Sequence, residues 1–127
     1  MPASTATIQQ HEYPNGLTLV AEEMPGVQSA SFTLLIPAGA AFEAAKGLNV
    51  GSGAAGMTCE WLTRGAGDRD SHELLGALDD LGVSHSESAQ TLHTSLAAAT
   101  LGRNLIPALG LFADMVLRPR FDEDEVD

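Results

Sequence analysis

Gly53-Ala54-Ala55-Gly56-Met57-Thr58-Cys59-Glu60-Trp61-Leu62-Thr63-Arg64-Gly65 is the stretch on which the reading of this sequence turns. Small residues at its start, and Met57, Trp61 and Leu62 towards its end, predict a helix over 53–64 with Gly65 and Gly67 as its stop. Gly51-Ser52-Gly53-Ala54-Ala55-Gly56 also satisfies the dinucleotide pattern G-x-G-x-x-G, with Asp68 and Asp70 downstream where a ribose-binding acid would stand. That chemistry requires a buried strand running directly into the first glycine, so that the helix N-terminus meets the pyrophosphate. Only Leu48-Asn49-Val50 precedes it, and the nearest strand ends at Ile36. The glycines are therefore read as close packing of a small-residue helix start against a sheet.

Upstream of this helix the sequence reads as strands. Ile8 to Tyr13 is β-prone, and Pro14-Asn15-Gly16 supplies a turn because Pro presets φ and Gly accepts positive φ. Leu17, Leu19 and Ala21 alternate with Thr18, Val20 and Glu22 as the second arm of a hairpin. Met24-Pro25-Gly26 breaks that arm, and Val27 to Ile36 forms a third, half-buried strand that stops at Pro37. Three strands joined by short turns predict a largely antiparallel sheet. Residues 38–51 read as small and irregular.

Downstream, Ser71 is the expected N-cap of a second helix, in which Leu74, Leu75, Leu78 and Leu81 recur at helical spacing until Gly82. Val83 to Thr100 predicts two adjacent strands, with Leu92, Thr94, Leu96 and Ala98 on one parity. Leu105 to Leu117 predicts a third helix with Leu105, Leu109, Phe112 and Val116 as its stripe, Pro107 in its first turn and Pro119 after its end. The resulting fold class is α+β: a largely antiparallel sheet packed with helices, in the order β-β-β-α-α-β-β-α.

Composition narrows the function classes. Six Lys and Arg against 17 Asp and Glu give 127 residues a formal net charge of −11, with 44% hydrophobic residues. The chain is apolar enough to bury a core, so high charge alone does not make it disordered. Nucleic acid is excluded as an expected partner, because phosphate binding needs clustered Lys and Arg, and an anionic membrane surface is disfavoured by the same sign. No stretch approaches about 18 uninterrupted apolar residues, so no spanning helix is expected. Met1 to Gln10 has neither a basic residue nor an apolar run, which predicts no secretory or transit segment and a cytoplasmic location. The single cysteine, Cys59, rules out an internal disulfide and any multi-cysteine metal site.

The stretch from Gly53 to Gly65 resembles the motif helix of the pitrilysin/insulinase family of zinc peptidases, which includes the mitochondrial processing peptidase. The family reads G-x-A-H-x-x-E-H-M-x-x-K/R-G-T, and Gly53, Ala55, Arg64 and Gly65 match its flanks. Tyr13-Pro14-Asn15-Gly16-Leu17-Thr18-Leu19-Val20 resembles its opening hairpin, and Pro37-Ala38-Gly39-Ala40-Ala41-Phe42-Glu43 resembles its strand end. The run from Leu109 to Phe121, with Ala113-Asp114-Met115 and Pro119 inside it, resembles its later helix and exit. The matches cover nearly the whole chain in the right order, and they imply that residues 1–127 are the incomplete N-terminal portion of one such domain.

The departure from the family is in the chemistry. In H-x-x-E-H, two histidines ligate zinc and the glutamate is the general base on the metal-bound water. Here Gly56, Cys59 and Glu60 stand at those three positions. The family's third ligand, a glutamate about 75 residues beyond the motif, would fall past Asp127. A catalytic zinc takes three protein ligands and an open position. The resemblance therefore implies no catalytic residue and no metal ligand in this chain, with zinc expected only in an active homologue or partner. Where the family has an N-A-x-T strand facing substrate, this chain has Ser86-Glu87-Ser88-Ala89, and Ser86, Glu87 and Ser88 are the candidate substrate-binding residues.

Cys59 has no histidine at helical spacing to act as base, so it reads as a small buried residue. His85 and His93 stand on neighbouring strands but lack a third ligand; His11 and His72 have no partner visible in the sequence. Asp68 and Asp70 read as turn and capping residues, and Trp61 as a core anchor. The five carboxylates within 121–127 read as a solvated tail or as the lead into further chain. The expected function is that of a non-catalytic family member that helps bind extended peptide or pairs, as a hetero- or homodimer, with a homologous peptidase subunit. Two alternatives stand beside it: an active zinc metallopeptidase whose ligands lie outside this chain, and a scaffold module that binds no peptide.

Overall fold

In the computed structural model of the chain, which describes residues 7–41 and 53–125, Pro14-Asn15-Gly16 closes a hairpin as its composition predicts. Gly16 takes a φ of 91°, the Leu17 N–H donates to Asn15 Oδ1 at 3.0 Å, and the Tyr13 N–H donates to the Leu17 carbonyl at 2.8 Å. Strand β1 (Thr7–Glu12) thereby pairs antiparallel with β2 (Thr18–Glu23), from Thr7↔Glu23 to Glu12↔Thr18. Every residue of both strands is exposed.

Strand β3 (Ser29–Ile36) does not extend that hairpin. The chain continues through helix α1 (Ala54–Trp61), the two-residue strands β4 (Gly65–Ala66) and β5 (Arg69–Asp70), helix α2 (Ser71–Asp80), strands β6 (Ser84–Ala89) and β7 (Thr94–Leu101), and helix α3 (Leu105–Leu117). Three-ten turns at Gly102–Asn104 and Glu123–Glu125 complete it. The principal sheet has the order β3-β7-β6, antiparallel throughout. This corrects the expectation of three consecutive strands in one sheet. Ala30, Phe32, Leu34 and Ile36 form one apolar parity of β3 that is half-buried beside β7, whereas the hairpin mixes Gln9, Gln10 and Glu22 with its apolar residues and has no dry face to share.

Register turns each inner row of this sheet towards the helices. Phe32, Ala98 and His85 lie abreast, as do Leu34, Leu96 and Glu87. Leu74 and Leu78 from α2, and Ala108, Leu111, Phe112 and Met115 from α3, close over these rows to make the core. Phe32 meets Phe112 edge to face, with ring centroids 5.0 Å apart. The α2 stripe is narrower than the sequence suggests: Leu75 is 42% exposed and Leu81 is partly buried. On α3 the buried set is displaced from the expected one, since Leu109 is exposed and Leu105 and Val116 are only half-buried. This helix is apolar nearly all round, so spacing alone did not choose its face.

The helix ends carry further corrections. α1 stops at Trp61, with the Leu62 N–H bonded to the Thr58 carbonyl at 3.2 Å and the Thr63 hydroxyl to the Glu60 carbonyl at 2.9 Å. The N-cap of α2 is Asp70, whose Oδ1 accepts the Glu73 N–H at 2.8 Å, and Ser71 is already helical. At its far end Gly82, with φ of 64°, lets the Val83 N–H reach the Leu78 carbonyl at 3.0 Å, the left-handed stop expected there. The Leu81 carbonyl accepts from Thr100 Oγ1 and Asn104 Nδ2, which ties α2 to β7 and the start of α3.

Gly65, expected only to stop α1, also opens strand β4, and Gly67 turns the chain from β4 to β5. The Gly67 N–H donates to the Arg118 carbonyl at 2.8 Å and the Arg120 N–H to the Gly65 carbonyl at 3.1 Å, so the segment leaving α3 lies alongside β4. Arg118 holds Asp114 through two bonds of 3.2 and 2.8 Å, and Arg69 approaches the same carboxylate at 3.6 Å. Trp61 is half-buried against Phe121 at 5.6 Å and does not belong to the core, which corrects its expected role. Among the described residues no helix is long and apolar enough to cross a membrane.

Candidate functional site

Helix α1 lies along β6, and between them runs a cleft of about 430 Å³. Gly56, Cys59 and Glu60 line it from α1, Thr63 and Arg64 from the exit of that helix, and Glu87, Ser88 and Ala89 from β6. Residues three and four apart share a helix face, so Gly56, Cys59 and Glu60 present together for the reason that H-x-x-E-H presents its three side chains together. The cleft thus unites five sequence candidates: Gly56, Cys59, Glu60, Glu87 and Ser88.

Ser86 lies elsewhere. Strand parity puts Ser84 and Ser86 on the sheet face opposite His85 and Glu87, where Ser86 lines a shallow groove with Ser31, Thr33 and Ala97. His85 and His93 are not paired either. His85 Nδ1 meets Glu87 Oε1 at 2.6 Å, and its ring stands edge to face on Phe112 at 6.4 Å. The signal for this pair was the i, i+2 spacing on a strand, which places both side chains on one face. Asp70 is spent on the α2 cap and Asp68 lies in the β4–β5 turn, while His11 packs against Tyr13 at 4.5 Å and His72 is exposed on the first turn of α2. Of the dinucleotide pattern, Gly51 and Ser52 lie outside the described residues, as does residue 42 onward in the family-like strand end.

The electrostatics of the cleft are anionic. Glu87 is 14% exposed at its side chain, His85 is 22% exposed, and Glu60 is open to solvent. Cys59 is 4% exposed. Burial pushes its thiol above the ordinary value of 9.0, and the negative charges of Glu87 and then Glu60 push it further. The thiol therefore keeps its proton at neutral pH, which makes it neither a ready nucleophile nor a ready ligand. Iodoacetamide is expected to label Cys59 at least tenfold more slowly in the folded chain than in urea at the same pH, because access and thiolate fraction both fall on folding; intact-mass spectrometry follows the adduct, and equal rates would contradict the placement.

The fit to zinc can be judged on these donors. Gly56 supplies no ligand atom, and a Cβ built there meets nothing within 4 Å. Cys59 holds its proton, and Glu60 is a single carboxylate. Among the described residues no group of three or more His, Cys, Asp or Glu is placed to hold a metal. The residues present do not fit a catalytic zinc.

The model of the family described as Insulinase (Peptidase family M16) matches residues 18–127. An uncharacterized zinc protease of Mycobacterium tuberculosis is 30% identical over 126 residues, covering 99% of this chain and 28% of the relative. Another from Mycobacterium leprae is 30% identical over 125 residues, covering 98% of this chain and 27% of the relative. Among solved structures, a peptidase M16 inactive domain from Pseudomonas fluorescens superposes with a TM-score of 0.77 at 20% identity, covering 93% of this chain and 28% of that one. A protease from Helicobacter pylori gives 0.78 at 20% identity, covering 95% and 28%. The chain thus spans between a quarter and a third of the length of the proteins it matches.

Proposed function

From the premise that the chain belongs to the insulinase family, peptidase family M16, we propose that it is a non-catalytic member which binds extended peptide in the cleft between α1 and β6 and pairs with a homologous subunit that holds the zinc. The observation that carries this reading is the composition of the cleft: α1 and β6 wall it, while Gly56, Cys59 and Glu60 supply no zinc site. Among the described strands β6 stands at the edge of its sheet, with β7 on one side only. A free strand edge beside a cleft accepts an extended chain through main-chain hydrogen bonds, and the cleft receives one of its side chains. The Pseudomonas protein described as an inactive domain, which shares the fold, is a further support.

In this reading the chain's work is positional. The edge of β6 fixes the register of the peptide, α1 walls one side, and the net charge of −11 draws basic segments towards the molecule. Bond cleavage belongs to the partner subunit.

Two measurements on the purified chain test this. Elemental analysis after purification with zinc present is expected to give less than about a tenth of an equivalent, since no three-ligand site retains the metal. Calorimetric titration with extended peptides is expected to give saturable binding, with the peptides recovered intact. Near one equivalent of zinc with chelator-sensitive cleavage would establish the active-peptidase reading instead. Absence of heat with every peptide would favour the scaffold reading.

A further inference from the structure

We infer that the cleft between α1 and β6 takes a cationic side chain of the bound peptide, lysine or arginine, and that Glu87, held in place by His85, is the counter-ion it meets. The inference rests on the peptide-binding reading and names the side chain that the cleft selects.

Glu87 differs from the many surface carboxylates of this chain in how it is fixed. It stands on a strand, in register with core residue Leu96, with its side chain 14% exposed. Its Oε1 is engaged by His85 Nδ1 at 2.6 Å, and the His85 ring is braced edge to face on Phe112, itself 1% exposed. A chain of contacts thus runs from the core through an imidazole to a carboxylate that lines a cleft. A carboxylate has two oxygens and about four acceptor sites, so one bond to His85 leaves capacity for an incoming donor. Glu60 lines the same cleft from α1, with Cys59 beside it, so two carboxylates and one buried thiol face a single space.

The remaining lining agrees with this choice. Gly56 and Ala89 leave room, Thr63 brings a hydroxyl, and among the described residues that line the cleft no large apolar side chain rewards a leucine or phenylalanine. Arg64 also lines the cleft, on the exit from α1, and is exposed. An anionic peptide side chain would face two carboxylates against the one guanidinium of Arg64, a net repulsion that selects against it. His85 acts through Glu87 and is a positioning residue; it does not line this cleft.

The test uses the full chain and three extended peptides identical except at one central position, which carries arginine, norleucine or glutamate. Fluorescence anisotropy is expected to give an arginine peptide that binds roughly tenfold more tightly than the norleucine one, the size of one partly solvated charge-assisted contact. The glutamate peptide is expected to bind weakest. In Glu87→Gln the arginine-to-norleucine ratio falls to near one, although the chain's net charge changes by a single unit. In His85→Phe, which keeps an aromatic ring on Phe112, the ratio falls part of the way, and in His85→Gln, which restores a donor, it recovers. A norleucine peptide that binds as tightly as the arginine peptide overturns the inference and leaves the peptide reading standing, as does a ratio unchanged in Glu87→Gln. Failure of all three peptides to bind overturns both. The wild-type ratio decides by itself should a variant not fold.

Discussion

Phe112→Ala is expected to lower the stability of the chain by about 3–5 kcal/mol, the range for deleting a fully buried aromatic ring. Phe112 sits in the middle of α3 at 1% exposure, and the sheet approaches its ring from two strands: Phe32 of β3 and His85 of β6 both meet it edge to face. Truncation removes the ring's burial and leaves a cavity that these neighbours cannot close without leaving the sheet register that holds them. A domain of this size has about 5–15 kcal/mol to lose. The loss is read from the shift of the urea midpoint, and a shift worth under about 1 kcal/mol would mean that the ring does not hold the core position described. The variant also removes the brace under His85, so the cleft's preference for arginine is expected to weaken even where the chain stays folded.

Gly39→Ala is expected to be comparably damaging for the opposite reason, too little room. Gly39 follows β3 and crosses the turn between β6 and β7, where a Cβ would collide with the Thr91 carbonyl oxygen, the Gln90 carbonyl oxygen at 2.5 Å and the His93 nitrogen at 2.6 Å. All three are backbone atoms, so no side chain can swing aside. The crossing is also fastened: the Ala40 and Ala41 N–H groups donate to the Gln90 and Thr91 carbonyls at 3.1 and 2.9 Å, and Thr94 Oγ1 donates to the Ala38 carbonyl at 2.8 Å. One methyl group forces these bonds apart, at a cost of about 3 kcal/mol, the upper end of the usual range for overpacking. Thermal unfolding followed by circular dichroism checks it; an unchanged midpoint would show that the backbone crossing is looser than described. Because the turn carries the end of β6, peptide binding should fall along with stability.

The sequence disclosed most of the local structure and little of the long-range pairing, and the residues explain why. α2 was legible because Leu74 and Leu78 repeat at helical spacing up to a glycine that must go left-handed. β7 was legible because Thr94, Leu96 and Ala98 alternate without interruption. The pairing of β3 with β7 was not, since nothing in Ser29–Ile36 names a partner that arrives about sixty residues later, and short turns argue for the nearest strand. β4 and β5 were missed because two residues carry no periodicity, and Gly65 and Gly67 look like a helix stop. At the site, the family resemblance supplied the motif positions Gly56, Cys59 and Glu60 and the strand candidates Ser86, Glu87 and Ser88; that Glu87 faces α1 across a cleft came from the structure. The resemblance did not separate Ser86, whose parity sends it to the other side of the sheet, and it gave no hint of His85, which a reading of i, i+2 spacing supplies.

The order of the principal sheet has a consequence for the route by which the chain reaches this structure. The pair β6–β7 is joined by a turn of a few residues and so forms among the earliest events, on the microsecond scale of hairpins. Strand β3 joins them by closing a loop of about sixty to seventy residues, and the entropy of that closure is lost before Phe32 and Leu34 gain any burial. The β3–β7 ladder therefore belongs to the late, rate-limiting part of assembly. Until it forms, β7 shows a bare edge rich in Ala, Leu and Thr to any other chain in solution, and the folding yield at high concentration is governed by how quickly β3 arrives to cover it.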